Sequence, residues 1–306
     1  MMTHDLLSMI LRSPASGAVA WALVHFAWQG TAIAGVTAIA FGALRGRSPQ
    51  ARYLAGLAAL AAMLAAPVVT AGAITASLAR ESAMTPPSAI SAGPAQPAAG
   101  PAAGPAGPAR LGAHASIGGP IGWTAWLLAG WVTGVFALSL RLAAGGGVVR
   151  ARVRRAASPG DGEWTGRIAV LGGRMGLSSR VRVLSSALVR VPCAVGALHP
   201  VILVPVGVLA GLSPNQLEAI LAHELAHIRR HDYLANLLQT CVETVLFYHP
   251  AVWWVSGRVR AEREHCCDDA AVRVCGDAVS YARALATLEA FRGASGLAMA
   301  ASGGPC

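Results

Sequence analysis

Hydrophobic residues dominate three long stretches in the first half of the chain, at 18–44, 53–79 and 121–144. Each stretch exceeds the roughly 20 helical residues that cross about 30 Å of hydrocarbon. Arginines cluster at 45–52, between the first two stretches, and at 141–155, around the end of the third. Because arginine-rich loops stay on the cytoplasmic side, we predict a multi-pass protein of the inner (cytoplasmic) membrane. Both basic segments then face the cytoplasm, and the N-terminus lies outside.

Two further changes of pattern divide the rest of the chain. Residues 80–120 are nearly uncharged and rich in Pro, Ala and Gly, so we predict a disordered external loop. From about residue 156 the composition is that of a compact domain, with a helical pattern near 163–176 and a strand pattern at 180–185. The stretch 191–205 predicts two short strands, and its three prolines favour an edge of a sheet. Such an edge either accepts an extended peptide as an added strand or is covered by a loop.

The composition agrees with a membrane protein and excludes some chemistry. Mean hydropathy is +0.54, 55% of the residues are hydrophobic and only 12% are charged. The net charge of +10 comes from arginines beside apolar segments, without a basic stripe interleaved with aromatics, so no direct binding of nucleic acid is expected. All 24 basic residues are arginine, which excludes a lysine nucleophile or base. The six cysteines lack paired CxxC spacing and lie mostly in the half placed in the cytoplasm, so disulfides are not expected.

The strongest local signal is the run AHELAH at 222–227, inside a well-marked helix. Ser213 is a good N-cap, Pro214 suits the first helical position, and Gln216 completes a capping box. No helix breaker follows before residue 238. The pattern therefore predicts a helix that carries the whole run.

This helix places two histidines where one metal ion can bind both. His223 and His227 are four residues apart, so they share a face and can reach the same Zn2+ at about 2.1 Å. Glu224 is turned by about 100° from His223, close enough to act on a water molecule without binding the ion. The pattern predicts a zinc site with Glu224 as general base. The alternative is an amphipathic helix with two partly exposed histidines.

A third ligand is expected from the densest charged run, at 258–274. The candidates are its acidic residues, with one histidine and two cysteines as outsiders: Glu262, Glu264, Asp268 and Asp269, then His265, Cys266 and Cys267. In a helix, Glu264 and Asp268 share a face, so one can bind zinc while the other accepts a hydrogen bond from a ligand imidazole. The alternative is a solvated charged face. Cysteine or histidine ligands added to the two histidines above would instead form a closed structural site.

An apolar stretch at 236–257 connects the two helices. Since all ligands must reach one ion, this stretch cannot end on the opposite side of the membrane. We predict that it turns back at Pro250, with Trp253 and Trp254 in the membrane interface or packed on the domain. His249 is expected to be structural.

Four segments carry a family resemblance: WALVHFAWQG (21–30), VPCAVGALHPVILVP (191–205), HELAHIRRHDYLANLL (223–238) and FYHPAVWWVSGRVRAEREHCCDDAAV (247–272). They resemble the BlaR/MecR-type family of regulatory membrane metallopeptidases. The resemblance implies a multi-span α-helical membrane protein with an α+β gluzincin-like cytoplasmic metallopeptidase domain, made of helices and a small sheet.

The resemblance also implies a role for each site residue. His223, His227 and Glu264 correspond to the Zn2+ ligands, Glu224 to the base, and Asp268 to the residue that orients a ligand imidazole. For stabilising the oxyanion, Arg230 and His231 are weak candidates.

These expectations combine into one predicted organisation: two transmembrane helices (1–79), a disordered external loop (80–120), a third transmembrane helix with a basic cytoplasmic linker (121–155), a zinc metallopeptidase domain (156–290) and a flexible tail (291–306). The expected partners are the lipid bilayer and a cytoplasmic protein substrate, and a homo-oligomer is compatible with the pattern. Family members cleave cytoplasmic proteins, in some cases a transcriptional repressor, after an external signal. The sensory members add a fourth span and an external penicillin-binding domain, so this chain, which stops at Cys306, is expected to be a fragment or to have another input.

Two alternatives stay open. One is a membrane zinc protease of the heat-shock or prenyl-protein-processing kind, which shares the HExxH run and a downstream E-x-x-x-D run. The other is a non-catalytic receptor or scaffold that uses zinc, or no metal, to hold its cytoplasmic helices together.

Overall fold

The structure is a computed structural model that describes residues 13–84, 122–156, 158–159, 162–177, 181–186, 189, 191–196, 200–205 and 211–301. Its helices are α1 (Pro14–Ala43), α2 (Pro49–Met84), α3 (Trp123–Ala156), α4 (Gly162–Arg174), α5 (Pro214–Arg229), α6 (Asp232–Val245), α7 (Pro250–Cys275) and α8 (Ala278–Ala301). Its strands are β1 (Ser158–Pro159), β2 (Arg182–Ser186), β3 (Cys193–Val195) and β4 (Val201–Pro205). The chain is therefore mostly helical with one small sheet.

The first three helices contain the candidate membrane spans. Segments Ala15–Ala43, Pro49–Glu81 and Trp123–Val148 are long and apolar enough to cross a bilayer, which confirms the three hydrophobic stretches as helices. Within the predicted external loop, residues 80–84 still belong to α2, and 85–121 lie outside the described residues. In the predicted tail, α8 extends to Ala301, and residues 302–306 lie outside the described part.

The described residues cluster into two compact units, 1–26 with 67–132, and 27–66 with 133–306. In the first unit, Ala20, Leu23 and Leu128 form a small buried cluster, and the rings of Trp21 and Trp123 meet edge to face at 5.4 Å. The second unit contains the sheet, helices α4 to α8 and the residues of the candidate site discussed below.

The sheet has the order β1-β2-β4-β3. Strands β3 and β4 pair antiparallel, as the predicted two short strands, while β2 pairs with β4 in parallel. The edge prediction holds for β3 but not for β4, which lies between β2 and β3. The prolines do not disturb β4 because Pro200 precedes the strand and Pro205 is its last residue, opposite Ser186.

Helix α5 lies at the centre of the hydrophobic core of the second unit. Its residues Leu217, Leu221 and Leu225 are almost fully buried, together with Ile202 of β4 and Cys267 of α7. Burying a leucine side chain stabilises a fold by about 1.5–3 kcal/mol. The helix that carries the two histidines is therefore held by packing on several sides.

Helices α6 and α7 form a hairpin that turns back, as predicted. Helix α6 ends at Val245 and α7 begins at Pro250, where the side chain of His249 accepts a hydrogen bond from the backbone N–H of Ala251. The Nε2 of His249 also lies 2.9 Å from the carbonyl oxygen of Ala27, so this histidine is structural. Inside the hairpin, the buried amide of Gln239 donates to the backbone oxygen and the hydroxyl of Ser256.

Candidate metal centre

Helix α5 brings the two histidines together. Ser213 caps the helix, Gln216 completes the capping box and a proline occupies the first turn, as the sequence predicts. One turn apart on this helix, the Nε2 atoms of His223 and His227 lie 3.1 Å from each other. Both atoms therefore point at the same small region of space.

Glu264 of α7 reaches the same region. Its Oε2 lies 3.5 Å from Nε2 of His223 and 3.6 Å from Nε2 of His227. Ligand atoms bound tetrahedrally to zinc at about 2.0–2.1 Å are about 3.3–3.4 Å apart, so the three distances match this geometry within a few tenths of an ångström. Two imidazoles and one carboxylate leave a fourth position open, which is the pattern of catalytic zinc sites. The donor set and its spacing fit zinc.

The other candidate ligands of the charged run have different surroundings. Glu262 is buried and forms an ion pair with Arg52 of α2, in which Nε of Arg52 lies 2.8 Å from Oε2 of Glu262. The side chains of His265 and Asp269 are exposed. Among the described residues, Glu264 is the carboxylate that meets both Nε2 atoms, which agrees with the assignment implied by the resemblance.

Each histidine is oriented through its other ring nitrogen. Nδ1 of His223 lies 3.1 Å from Oδ1 of Asp268 and 2.9 Å from the hydroxyl of Tyr281, which itself donates to Asp268 at 2.6 Å. Nδ1 of His227 lies 2.8 Å from Oδ2 of Asp232. Because a carboxylate accepts hydrogen bonds, the neutral form of each imidazole carries its proton on Nδ1, which leaves the lone pair of Nε2 for a metal ion.

Sequence reasoning found Asp268 but missed three residues around the histidines. Asp232 is five residues beyond His227, after a turn in which His231 has a left-handed backbone with φ of 55°, so helical spacing does not predict the contact. Tyr281 belongs to α8, and its contact with His223 spans 58 residues of sequence. Cys267 was weighed only as a metal ligand, and its Sγ lies 3.3 Å from Nδ1 of His227. An acidic residue five positions after the second histidine was the one signal that the sequence offered for Asp232.

A second group of potential metal ligands shares one residue with the first. Nδ1 of His227, the carboxylate of Asp232 and Sγ of Cys267 all lie within 4.8 Å of one another. Asp232 and Cys267 are buried, whereas Glu264 in the first group is half-exposed. The two groups use opposite nitrogens of His227, so they predict different ligand atoms for one ion.

The pKa values of the site follow from these contacts. Burial lowers the pKa of His223, but hydrogen bonds to Asp268 and Glu264 outweigh it and raise the pKa to about 9. For His227, burial is likewise outweighed, chiefly by the hydrogen bond to Asp232, and its pKa is raised. Hydrogen bonds from both histidines hold the pKa of Glu264 well below its usual range. Glu264 is therefore ionised at neutral pH.

Glu224 faces the site from the side of the sheet. Its Oε2 accepts a hydrogen bond of 2.9 Å from the backbone N–H of Ala194, on the edge strand β3. Burial raises the pKa of Glu224, and the nearby histidines oppose that effect. A carboxyl group with a raised pKa is suited to taking up and returning a proton near neutral pH.

A cavity of about 710 Å³ opens onto these groups. Glu224, His227 and Glu264 line it together with Ala194 of β3 and Asn236 of α6. Of the two weak oxyanion candidates, His231 also lines this cavity. Arg230 instead pairs with Asp232, with Nε 3.4 Å from Oδ1, and hydrogen-bonds to Gln50.

The chain has candidate membrane spans, and its two histidines and the carboxylate of Glu264 converge beside Glu224. These features define a class, membrane proteins with a candidate catalytic metal centre. The family described as BlaR1 peptidase M56 matches residues 32–303. The chain therefore belongs to the BlaR1 peptidase M56 family, as the resemblance implied.

Individual relatives match a shorter part of the chain. The regulatory protein BlaR1 of Bacillus licheniformis is 30% identical over 94 residues, which cover 31% of this chain and 16% of the relative. The methicillin resistance mecR1 proteins of Staphylococcus aureus and Staphylococcus epidermidis are each 26% identical over 77 residues, or 25% of this chain and 13% of the relative. The matched part is thus less than a fifth of the length of these relatives.

Proposed function

We propose that this chain is a zinc metalloendopeptidase of the inner membrane that cleaves a cytoplasmic protein in response to a signal. The observation that carries the proposal is the convergence of His223, His227 and Glu264 at 3.1 to 3.6 Å, with Glu224 lining the same cavity. The catalytic domain of this proposal is the gluzincin-like region at 156–290.

In the proposed mechanism His223, His227 and Glu264 hold the metal, and Asp268 and Asp232 keep the two imidazoles in the required tautomer. When bound, zinc acidifies a water molecule and polarises the scissile carbonyl. Glu224 takes the proton from the attacking water and returns it to the leaving amine. Its hydrogen bond to Ala194 fixes one carboxylate oxygen, so that the other is available for the proton.

The edge strand gives the peptide substrate a place to bind. The N–H of Ala194 points toward Glu224 rather than toward β4, so the outer edge of β3 borders the catalytic side chain. An extended peptide can pair with such an edge as an added strand. This arrangement would place the scissile bond of a substrate beside Glu224. Because the pairing uses main-chain groups, it would demand little of the substrate's side chains.

The membrane orientation and the regulatory role are part of the same proposal. The arginines between α1 and α2 and those at the end of α3 support a catalytic domain in the cytoplasm, by the positive-inside rule. The relatives are named as a regulatory protein and as resistance proteins, which supports a substrate such as a transcriptional repressor. The match to the BlaR1 peptidase family favours this role over a protease of the heat-shock or prenyl-processing kind.

The test compares Glu224→Gln with Glu218→Gln, a control on the same helix whose carboxylate pairs with Arg167 on α4. Each variant is purified in detergent, its zinc content is measured, and cleavage of co-expressed cytoplasmic proteins is followed by mass spectrometry of new termini. We expect Glu224→Gln to retain zinc and lose cleavage, and Glu218→Gln to retain both. Full cleavage by Glu224→Gln would remove this residue from the mechanism.

A non-catalytic receptor is the second candidate function, and one observation favours it. The buried group of His227, Asp232 and Cys267 could hold a metal ion that only ties α5, α6 and α7 together. In that case zinc would stabilise the fold and no new termini would appear with wild-type protein.

A further inference from the structure

The N-terminal end of α2, the second candidate membrane span, contacts the residue that orients His227. Tyr53 is 5% exposed, and its hydroxyl lies 3.4 Å from Oδ1 of Asp232 across 179 residues of sequence. The other oxygen of the same carboxylate, Oδ2, lies 2.8 Å from Nδ1 of His227. A single buried carboxylate thus joins a side chain of α2 to a predicted zinc ligand.

The contact is part of a polar cluster at the junction of α5 and α6. The guanidinium of Arg230 lies over the ring of Tyr53, 4.7 Å from its centroid, and pairs with Oδ1 of Asp232. Gln50, one turn before Tyr53 on α2, accepts a hydrogen bond from Arg230. Two groups, the Tyr53 hydroxyl and the Arg230 guanidinium, therefore meet Oδ1 of Asp232, and Gln50 of α2 in turn binds Arg230.

The same end of α2 also packs directly on α7, the helix of Glu264. Arg52 forms the ion pair with Glu262, two residues before Glu264. A Cβ added at Gly56 would lie 2.5 Å from Cγ2 of Val259, so the backbone of α2 is in close contact with α7 at this point. One short segment of α2 thus contacts the surroundings of two of the three predicted ligands.

We propose that Tyr53 is a positioning residue that couples the placement of α2 to the His227 imidazole through Asp232. The inference rests on the proposed function, in which His227 binds zinc. A shift of α2 moves the hydroxyl away from Oδ1, the carboxylate reorients, and the imidazole loses the orientation that the metal requires. This coupling gives a membrane helix a direct route to the metal centre.

The experiment measures zinc affinity by chelator competition on the full chain in detergent micelles. It compares wild type, Tyr53→Phe and Asp232→Asn with Tyr248→Phe, a control at a half-exposed tyrosine in the turn between α6 and α7. Loss of a hydrogen-bond partner behind a ligand costs about 10–100-fold in metal affinity, which we expect for Asp232→Asn. Because Tyr53 acts through Asp232, we expect a loss of about 3–10-fold for Tyr53→Phe and no change for Tyr248→Phe.

Thermal melting separates positioning from simple packing. A positioning role predicts that Tyr53→Phe and wild type melt alike in excess chelator, while added zinc raises the melting temperature of Tyr53→Phe less. A packing role predicts a lower melting temperature in chelator with the same increase on adding zinc, and that result would overturn the inference.

Two glycines of α2 provide a second test that does not touch the polar cluster. Gly56→Ala should displace α2 from α7 and weaken zinc binding, whereas at Gly72 a Cβ meets nothing within 4 Å in the described structure, so Gly72→Ala should not. Equal zinc affinities of Tyr53→Phe and Tyr248→Phe would refute the coupling and leave the metal site standing. Failure of wild type to bind zinc would refute the proposed function, and the coupling with it.

Discussion

Zinc binding should weaken as the pH is lowered, and this weakening should begin at an unusually high pH. Two imidazoles must be neutral to bind the ion, so protons compete with zinc. The pKa of His223 is raised to about 9 because its hydrogen bonds outweigh burial, and that of His227 is also raised. Their Nε2 atoms are only 3.1 Å apart, which leaves room for a single proton between them. Because the pKa of His227 is raised further, to about 12, we expect one proton to compete with zinc up to at least about pH 9.

The size of the effect follows from that value. With one competing proton and a pKa of about 9, lowering the pH from 9 to 7 should weaken the apparent zinc affinity about 50-fold. With two ordinary histidines, whose pKa is about 6.5, the same change should cost less than about twofold. The ionised Glu264 adds nothing in this range because its pKa is lowered.

The assay is competition with a chelator of known zinc affinity at half-unit steps of pH, with the full chain in detergent. Asp268→Asn removes one cause of the raised pKa of His223, so its affinity should level off at a lower pH. Asp269→Asn changes an exposed neighbour and is the matched control. An affinity that is flat between pH 7.5 and 9 in wild type would refute this explanation of the site.

The stability of the protein without zinc should have the opposite pH dependence. A histidine whose pKa is raised by folding stabilises the fold fully below its unfolded value of about 6.5, and this contribution is lost as the pH rises through about 9. Chemical or thermal unfolding in excess chelator should therefore show decreasing stability from pH 6.5 to 9. In saturating zinc, stability should increase over the same interval.

Three further predictions concern the scaffold. Ser213→Ala removes the cap of α5 and should cost about 1 kcal/mol in the free energy of unfolding, measured by denaturant titration. Arg52→Met leaves a largely buried carboxylate on α7 without its cation and should cost roughly 1–3 kcal/mol; an unchanged unfolding midpoint would contradict the structural role of that pair. Gly134→Ala places a Cβ against the ring of Phe247 and should lower the melting temperature relative to Gly130→Ala, whose Cβ meets nothing within 4 Å in the described structure.

Local patterns allowed the membrane helices and α5 to be predicted from sequence. Long apolar runs set the three spans, and the capping residues Ser213 and Gln216 set the start of α5. The turn before Pro250 was predictable because the ligands had to meet, a constraint from chemistry rather than from helix propensity. The same constraint limited the third ligand to a few acids in α7.

The remaining features depend on contacts that sequence spacing does not encode. Tyr53 meets Asp232 across 179 residues, and no periodic pattern links a membrane span to the start of α6. Asp232 faces His227 because the left-handed backbone of His231 reverses the chain between the two. The parallel pairing of β2 with β4 was likewise not predictable, since β3 lies between them in the sequence but pairs with the opposite side of β4.

X-ray absorption spectroscopy at the zinc edge tests the central claim most directly, because the two groups of potential ligands around His227 differ in their atoms. The proposed centre predicts one zinc per chain, bound only by nitrogen and oxygen at about 2.0–2.2 Å, with that signal lost in Glu264→Ala and retained in Cys267→Ser. A zinc–sulfur distance of about 2.3 Å that disappears in Cys267→Ser would contradict the account, because it would place the ion at the buried group behind His227.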